Sequence, residues 1–159
     1  MSTKIGFEVS YGQLAIFTSS LQQPFNDWTE RHVAQGFAWR PGSVSFRSIV
    51  EAGRHSVEIN AVNHVGPIHP EAVRVMEVPF EVPADGQIEI GSIAETVPIL
   101  LSAGSLLLRC EFLHPASADG ERVRLTFARN DTPRFAIVLA DSELSIDGEL
   151  LMTAQPAPG

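Results

Sequence analysis

Histidine, glutamate and serine are the side chains of this chain that could do chemistry, and their spacing supports little of it. No serine lies in the Gly-x-Ser-x-Gly turn of a hydrolase, and no glycine-rich segment has phosphate-binding spacing. His64 and His69 share one loop, and His114 or Glu71 could complete a three-ligand metal site. Solvated loop histidines explain the same pattern more simply. A metal-dependent hydrolase is therefore the weakest of three hypotheses, and no cofactor is expected.

The single cysteine and the N-terminus bear on the compartment. Cys110 lies in an apolar, strand-like run and cannot form an intramolecular disulfide, which favours a buried, inert thiol in a reducing environment. Met1 to Gly6 lack the apolar stretch of a signal peptide, and no apolar run reaches the roughly 18 residues of a membrane span. A cytoplasmic protein without membrane insertion is the expectation.

Acidic side chains outnumber basic ones, 19 to 11, which gives a formal net charge of −8. Such a surface repels phosphate, so direct binding of DNA or RNA is not expected, whereas a basic protein partner is favoured. The local cluster of positive charge consists of Arg122, Arg124, Arg129 and Arg134, and a solvated strand face explains it more simply than nucleic-acid binding. The acids predicted to contact a partner are Asp119, Glu121, Asp141, Glu143, Asp147 and Glu149. A polar outer strand at a sheet edge is the alternative interpretation of these residues.

Alternation of apolar and polar residues runs through most of the chain and predicts about ten short strands. Because helices do not alternate with these strands, an all-β antiparallel β-sandwich of two sheets is the predicted fold, with a closed barrel as the alternative. The 159 residues suit one domain, predicted over residues 1–153, followed by a disordered tail over residues 154–159.

The segment over residues 27–35 predicts the one helix. Asp27 has the residue type of an N-cap, and Glu30 lies three residues later, as in a capping box. Gly36 stands where a left-handed C-terminal residue is favoured. Trp28 in the first turn is expected to anchor this helix to a sheet.

A second tryptophan, Trp39, precedes a tight turn that ends at Gly42. Tryptophan is enriched in binding hot spots, so Trp39 is a candidate interface anchor as well as a packing residue. Together with Phe37 it could also form the aromatic wall of a site between the loops at residues 63–71 and 114–120. The second hypothesis is therefore a β-sandwich that binds a small molecule or carbohydrate.

The predicted strand over residues 73–82 changes its side-chain parity. Val73 and Val75 share one face, whereas Met76 and the apolar residues after it share the other, which predicts a bulge near Val75 and Met76. Pro79 in the same strand indicates an edge strand or a break in pairing.

A series of short motifs runs through residues 7 to 113. Its clearest members are Val9-Ser10-Tyr11, Asp27-Trp28-Thr29, Gly36-Phe37-Ala38, Gly42 and Val44-Ser45-Phe46. The series resembles the competence protein J family, whose named activity is inhibition of a DNA-uptake nuclease. Within it, Asp27, Trp28, Thr29, Gly36 and Gly42 look structural.

The resemblance implies the first hypothesis, a protein with no chemistry of its own that binds a basic nuclease and blocks it sterically and electrostatically. The acidic charge fits such a partner, because an acidic surface can occupy a basic cleft in place of phosphate. The sequence is also compatible with a homo-oligomer.

Overall fold

The computed structural model describes residues 2–116, 120–145 and 149–158. Within these ranges the chain forms one helix and eleven strands. The helix is α1 (Glu30–Gln35). The strands are β1 (Ser2–Val9), β2 (Gln13–Thr18), β3 (Phe37–Arg40), β4 (Ser43–Arg47), β5 (Gly53–Val62), β6 (Ala72–Val82), β7 (Gln87–Gly91), β8 (Thr96–Leu100), β9 (Gly104–Ala116), β10 (Gly120–Arg129) and β11 (Ala136–Leu139).

The strands form two sheets, so the predicted β-sandwich is confirmed. One sheet has six strands in the order β1-β5-β10-β9-β6-β11, and the other has five in the order β3-β4-β2-β7-β8. Neighbouring strands are antiparallel with one exception among the described pairs, since β10 runs parallel to β5. The connection between β5 and β6 crosses the outer face of the sheet, where Arg109 and Arg124 bind its backbone, and β6 therefore starts at the same end as β5. Because β9 is antiparallel to β6 and β10 is antiparallel to β9, β10 runs parallel to β5.

Apolar side chains from both sheets meet in one core between them. Its fully buried members include Phe7, Ile16, Phe46, Ile59 and Phe112. Each such side chain contributes roughly 1.5–3 kcal/mol by leaving water. Cys110 is also buried in this core, and burial raises the pKa of its thiol well above its usual value, as expected for an inert thiol.

The pairing of β6 is irregular on both sides of the strand. The register with β9 shifts between Ala72 and Arg74, and the register with β11 shifts between Ile137 and Leu139, opposite Met76 and Val75, at which a bulge is predicted. Arg74 therefore shares the core-facing side of β6 with Met76. The prediction of an edge strand or a break in pairing at Pro79 is confirmed: β9 pairs along β6 to Val82 on one side, whereas β11 pairs only with Val75 to Glu77 on the other, so among the described strands Pro79 has a neighbour on one side.

The helix begins later than predicted, at Glu30 rather than at residue 27. Thr29 is its N-cap: the Thr29 hydroxyl accepts a hydrogen bond from the His32 amide, and the Thr29 amide donates to His32 Nδ1 at 3.0 Å. The capping box thus consists of Thr29 and His32, and not of Asp27 and Glu30. Gly36 ends the helix with a φ of 91°, as predicted.

Asp27 lies two residues before the cap, and its backbone pairs with the C-terminal segment. The Asp27 amide donates to Gln155 O at 2.8 Å, and the Ala157 amide donates to Phe25 O at 2.8 Å. Residues 154–159 are predicted to be a disordered tail. In the structure, residues 155–157 instead lie extended beside residues 25–27 and form hydrogen bonds with them. No helix in the described ranges has the length and apolar character to cross a membrane.

Candidate partner interface

Trp28 lies on the segment that leads into the helix and is half-buried. Its ring meets the His32 imidazole edge to face, with 6.3 Å between ring centroids. Trp28 Nε1 is buried, and no described residue accepts a hydrogen bond from it. Gly42 has a φ of 82°, which agrees with the tight turn predicted there.

Trp39 is held by internal contacts. Its indole Nε1 donates to Pro79 O at 2.7 Å, and its ring contacts Phe135 edge to face with 5.1 Å between centroids. Phe37 is fully buried and stacks on the same Phe135 ring. Neither ring is therefore placed to form the wall of an open sugar site, and the carbohydrate-binding hypothesis loses the residues on which it rested.

Two of the predicted partner-binding acids converge on a buried arginine. The guanidinium of Arg74 is fully buried and binds the Asp141 carboxylate through two hydrogen bonds of 3.0 and 2.9 Å. Arg74 also lies 3.3 Å from Glu143 and donates to Arg47 O at 2.7 Å. Asp141 and Glu143 thus fix the chain after β11 to the end of the sandwich. Sequence reasoning missed Arg74, although a lone arginine in an apolar strand was a signal.

Glu121 is 5% exposed and does not lie on an acidic face, which differs from its predicted role. It pairs in register with His55 on the parallel strand β5. Glu121 Oε2 and His55 Nε2 are both buried without a hydrogen-bond partner among the described residues. Burial raises the pKa of Glu121 and lowers the pKa of His55, because burial disfavours the charged form of each.

The raised pKa of Glu121 predicts a pH-dependent gain from Glu121→Gln. The Glu121 carboxyl holds its proton more tightly in the folded chain than in the unfolded chain. Ionisation of Glu121 therefore lowers the free energy of unfolding as the pH rises above about 4.3, the pKa of glutamate in the unfolded chain. We expect Glu121→Gln to raise the free energy of unfolding by about 1 kcal/mol at pH 8 and by less at pH 4.5. Urea unfolding at both pH values measures the difference, with the exposed Glu81→Gln as control. A difference independent of pH would contradict the prediction.

Of the three remaining predicted acids, the structure describes Glu149. Glu149 is exposed, and its backbone oxygen accepts a hydrogen bond from the Arg31 guanidinium. Asp119 and Asp147 lie outside the described residues.

The histidines of the metal hypothesis do not form a site. The Glu71 carboxylate accepts a hydrogen bond from Arg122 at 2.7 Å, which lowers the pKa of Glu71, with smaller contributions from His69 and His114. An arginine thus occupies the position where a cation would bind this carboxylate. Within the described ranges no three histidine, cysteine, aspartate or glutamate side chains are placed to hold a metal ion.

The outer face of the six-stranded sheet carries a second charged cluster that sequence reasoning missed. Glu111 is fully buried and binds the Arg124 guanidinium at 2.7 and 3.0 Å. It also accepts from the His69 amide at 2.7 Å. Arg109 binds Glu77 and Gly66 O, each at 2.7 Å. The predicted solvated face is therefore a network that holds the loop between β5 and β6.

The family model of competence protein J (ComJ) matches residues 6–128. The chain belongs to this family. The match includes β10 and so extends beyond the predicted limit of residue 113. No curated protein sequence matches the chain.

Two solved structures share the fold of this ComJ-family chain. The crystal structure of ComJ from Bacillus subtilis, an inhibitor of the DNA degrading activity of NucA, aligns with a TM-score of 0.65 and 21% identity. The alignment covers 80% of this chain and 98% of that one. The protein of crocagin biosynthetic gene J aligns with a TM-score of 0.53 and 14% identity, over 80% of this chain and 96% of that one.

The chain carries a C-terminal segment beyond the family match, which ends at residue 128. This segment supplies β11 to the edge of β6 and the carboxylates that bind Arg74. Further along, His32 Nε2 of the helix lies 2.9 Å from Thr153 O, and Gln35 Nε2 donates to Leu151 O at 2.8 Å. The added segment therefore contributes a short edge strand to the six-stranded sheet and hydrogen-bonds to the helix.

Proposed function

We propose that this ComJ-family chain is a protein inhibitor that binds a DNA-degrading nuclease of the NucA type and blocks it without chemistry of its own. The observation that carries the proposal is the family match over residues 6–128. The two-sheet fold shared with the NucA inhibitor ComJ of Bacillus subtilis supports it.

The distribution of charge supports a basic partner. Five arginines form ion pairs inside the chain, at Arg47, Arg74, Arg109, Arg122 and Arg124. Many exposed carboxylates have no ion pair within the described residues, among them Glu8, Asp27, Glu30, Glu51, Glu81, Asp85, Glu95 and Asp131. The surface field is therefore negative and attracts the kind of basic cleft that binds DNA.

Inhibition under this proposal is a competition for one surface of the nuclease. Enzymes that bind DNA neutralise phosphates with lysine and arginine side chains. A rigid protein that presents carboxylates to those cations excludes DNA by occupying the same volume and satisfying the same charges. The closely packed core between the two sheets keeps such a surface in a fixed shape, which limits the entropy lost on binding.

A digestion assay tests the proposal. We expect the purified chain, added in equimolar amount, to suppress digestion of linear DNA by NucA of Bacillus subtilis or by a NucA-type nuclease from the organism that encodes this chain. Because the attraction is electrostatic, raising the salt concentration from about 50 to 300 mM is expected to slow association by about tenfold or more.

An unrelated acidic protein of similar net charge serves as the control for nonspecific neutralisation of the nuclease. Full digestion by every nuclease in the presence of excess chain would refute the proposed function. Equal suppression by the unrelated acidic protein would also count against it, because charge alone would then explain the effect.

A further inference from the structure

Tyr11 is the one largely exposed aromatic residue of the described chain, with 73% of its surface accessible. Its φ is 60°, and no other described non-glycine residue has a positive φ. Gly12, which follows, has a φ of 66°. Asparagine or glycine is usual at such positions, because a large side chain is strained there. Since the exposed ring gains no burial in return, the strain points to a functional role for Tyr11.

The turn that carries Tyr11 is fixed on both sides. The Gly12 amide donates to Glu51 O at 2.6 Å, and the Ser48 amide donates to Gly12 O at 2.8 Å. These two hydrogen bonds attach the turn to the connection between β4 and β5. An aromatic side chain on an immobile backbone loses little conformational entropy when a partner covers it.

Tyr11 borders a groove of about 310 Å³, called here the Tyr11 groove. Its other lining residues include Trp28, Val33, Ile49, Glu51 and Glu143. Val33 is 41% exposed although it is apolar, and Trp28 is half-buried. Tyrosine and tryptophan beside exposed apolar surface are the composition of a binding hot spot.

The free charge around the Tyr11 groove is negative. Glu51 is exposed in its wall and forms no ion pair with a described residue. The cation of the groove, Arg47, is engaged by Glu143 at 3.5 Å and by Val33 O at 3.2 Å. A segment that carries free lysine or arginine side chains therefore fits this rim, and phosphate does not.

We propose that the Tyr11 groove is the docking surface for a lysine- or arginine-bearing loop on the DNA-binding surface of the inhibited nuclease, with Tyr11 as the aromatic anchor. This docking surface rests on the proposed function and is the contact through which the chain binds the nuclease. The Tyr11 ring offers its face to a cation, and Glu51 offers its carboxylate to the same or a neighbouring side chain.

The decisive variant is Tyr11→Asn, because its melting temperature is expected to rise while its inhibition of the nuclease weakens. Asparagine tolerates the left-handed conformation, so the melting temperature is expected to rise by about 2–4 °C. Loss of the anchor is expected to weaken inhibition of NucA, or of the cognate NucA-type nuclease, at least tenfold. Glu51→Lys, which reverses the charge of the rim, is expected to weaken inhibition by a similar factor and to reduce its salt dependence.

Matched variants lie away from the groove. Leu100→Asn replaces an apolar residue that is 69% exposed on the edge strand β8, and Glu81→Lys reverses an exposed charge at the far end of β6 from Arg74. Both are expected to inhibit within twofold of the wild type.

The outcomes separate the two proposals. Undiminished inhibition by Tyr11→Asn and Glu51→Lys, with an active wild type, overturns the docking surface and leaves the proposed function intact. A Tyr11→Asn variant with a lower melting temperature indicates a structural role for Tyr11 and also overturns the docking surface. A wild type that inhibits no nuclease overturns both proposals.

Discussion

Replacing Arg74 with alanine is expected to lower the free energy of unfolding by about 3–5 kcal/mol. The guanidinium is fully buried, and it binds Asp141 through two hydrogen bonds while also donating to Arg47 O at 2.7 Å. Its removal leaves the partly buried Asp141 carboxylate without its donor and opens a cavity against Phe112, over whose ring the guanidinium lies at 5.9 Å. Urea unfolding followed by tryptophan fluorescence measures the loss.

Two controls separate this effect from a general loss of charge. Arg74→Lys keeps the charge but cannot bind the Asp141 carboxylate in the two-pronged geometry, so an intermediate loss is expected. Arg129→Ala removes an exposed arginine and is expected to change the free energy of unfolding by less than about 0.5 kcal/mol. A small effect of Arg74→Ala, similar to that of Arg129→Ala, would show that the cluster does not hold the fold.

The second large effect is expected from Glu111→Gln, at about 3 kcal/mol. Glu111 is fully buried and is bound by Arg124 and by the His69 amide. Glutamine has nearly the same shape but no charge, so the Arg124 guanidinium loses its ionic partner and faces an amide that can also donate. We expect the loop between β5 and β6 to detach first, because Arg124 and Arg109 both donate to its backbone.

Hydrogen exchange and urea unfolding test the Glu111 prediction together. The His69 amide is expected to lose protection by more than tenfold in Glu111→Gln. The matched variant is Glu81→Gln, the same substitution at an exposed position of β6, for which no change in either quantity is expected. Unchanged protection of the His69 amide would mean that the loop is held independently of Glu111.

Local sequence signals predicted those elements that depend on neighbouring residues. Period-2 alternation predicted the strands because one face of each strand must enter the core. Gly36 was predicted at the end of the helix because a left-handed backbone favours glycine. The predicted start of the helix is three residues too early, because Asp27 and Thr29 both have residue types that can cap a helix and Thr29 is the one that does.

The residues of the candidate interface are less predictable from local sequence than the strands are. Proximity in sequence groups the acids of the C-terminal third, yet Asp141 and Glu143 bind Arg74, and Glu121 is buried beside His55. Tyr11, by contrast, stands out in the sequence only as part of a family motif. Its strain and its exposure exist only once the turn is fixed against Glu51 O.

Local patterns are enough to predict the two-sheet β architecture, the helix before β3 and the family, because hydrophobic period, turn residues and short motifs are properties of neighbouring residues. Which charges are internal, where the C-terminal segment lies and which surface stays open follow from long-range contacts alone. Those features depend on contacts between residues about 30 to more than 120 positions apart, such as Arg74 with Asp141 and Asp27 with Gln155. Such pairing follows from the packing of the two sheets and has no local pattern.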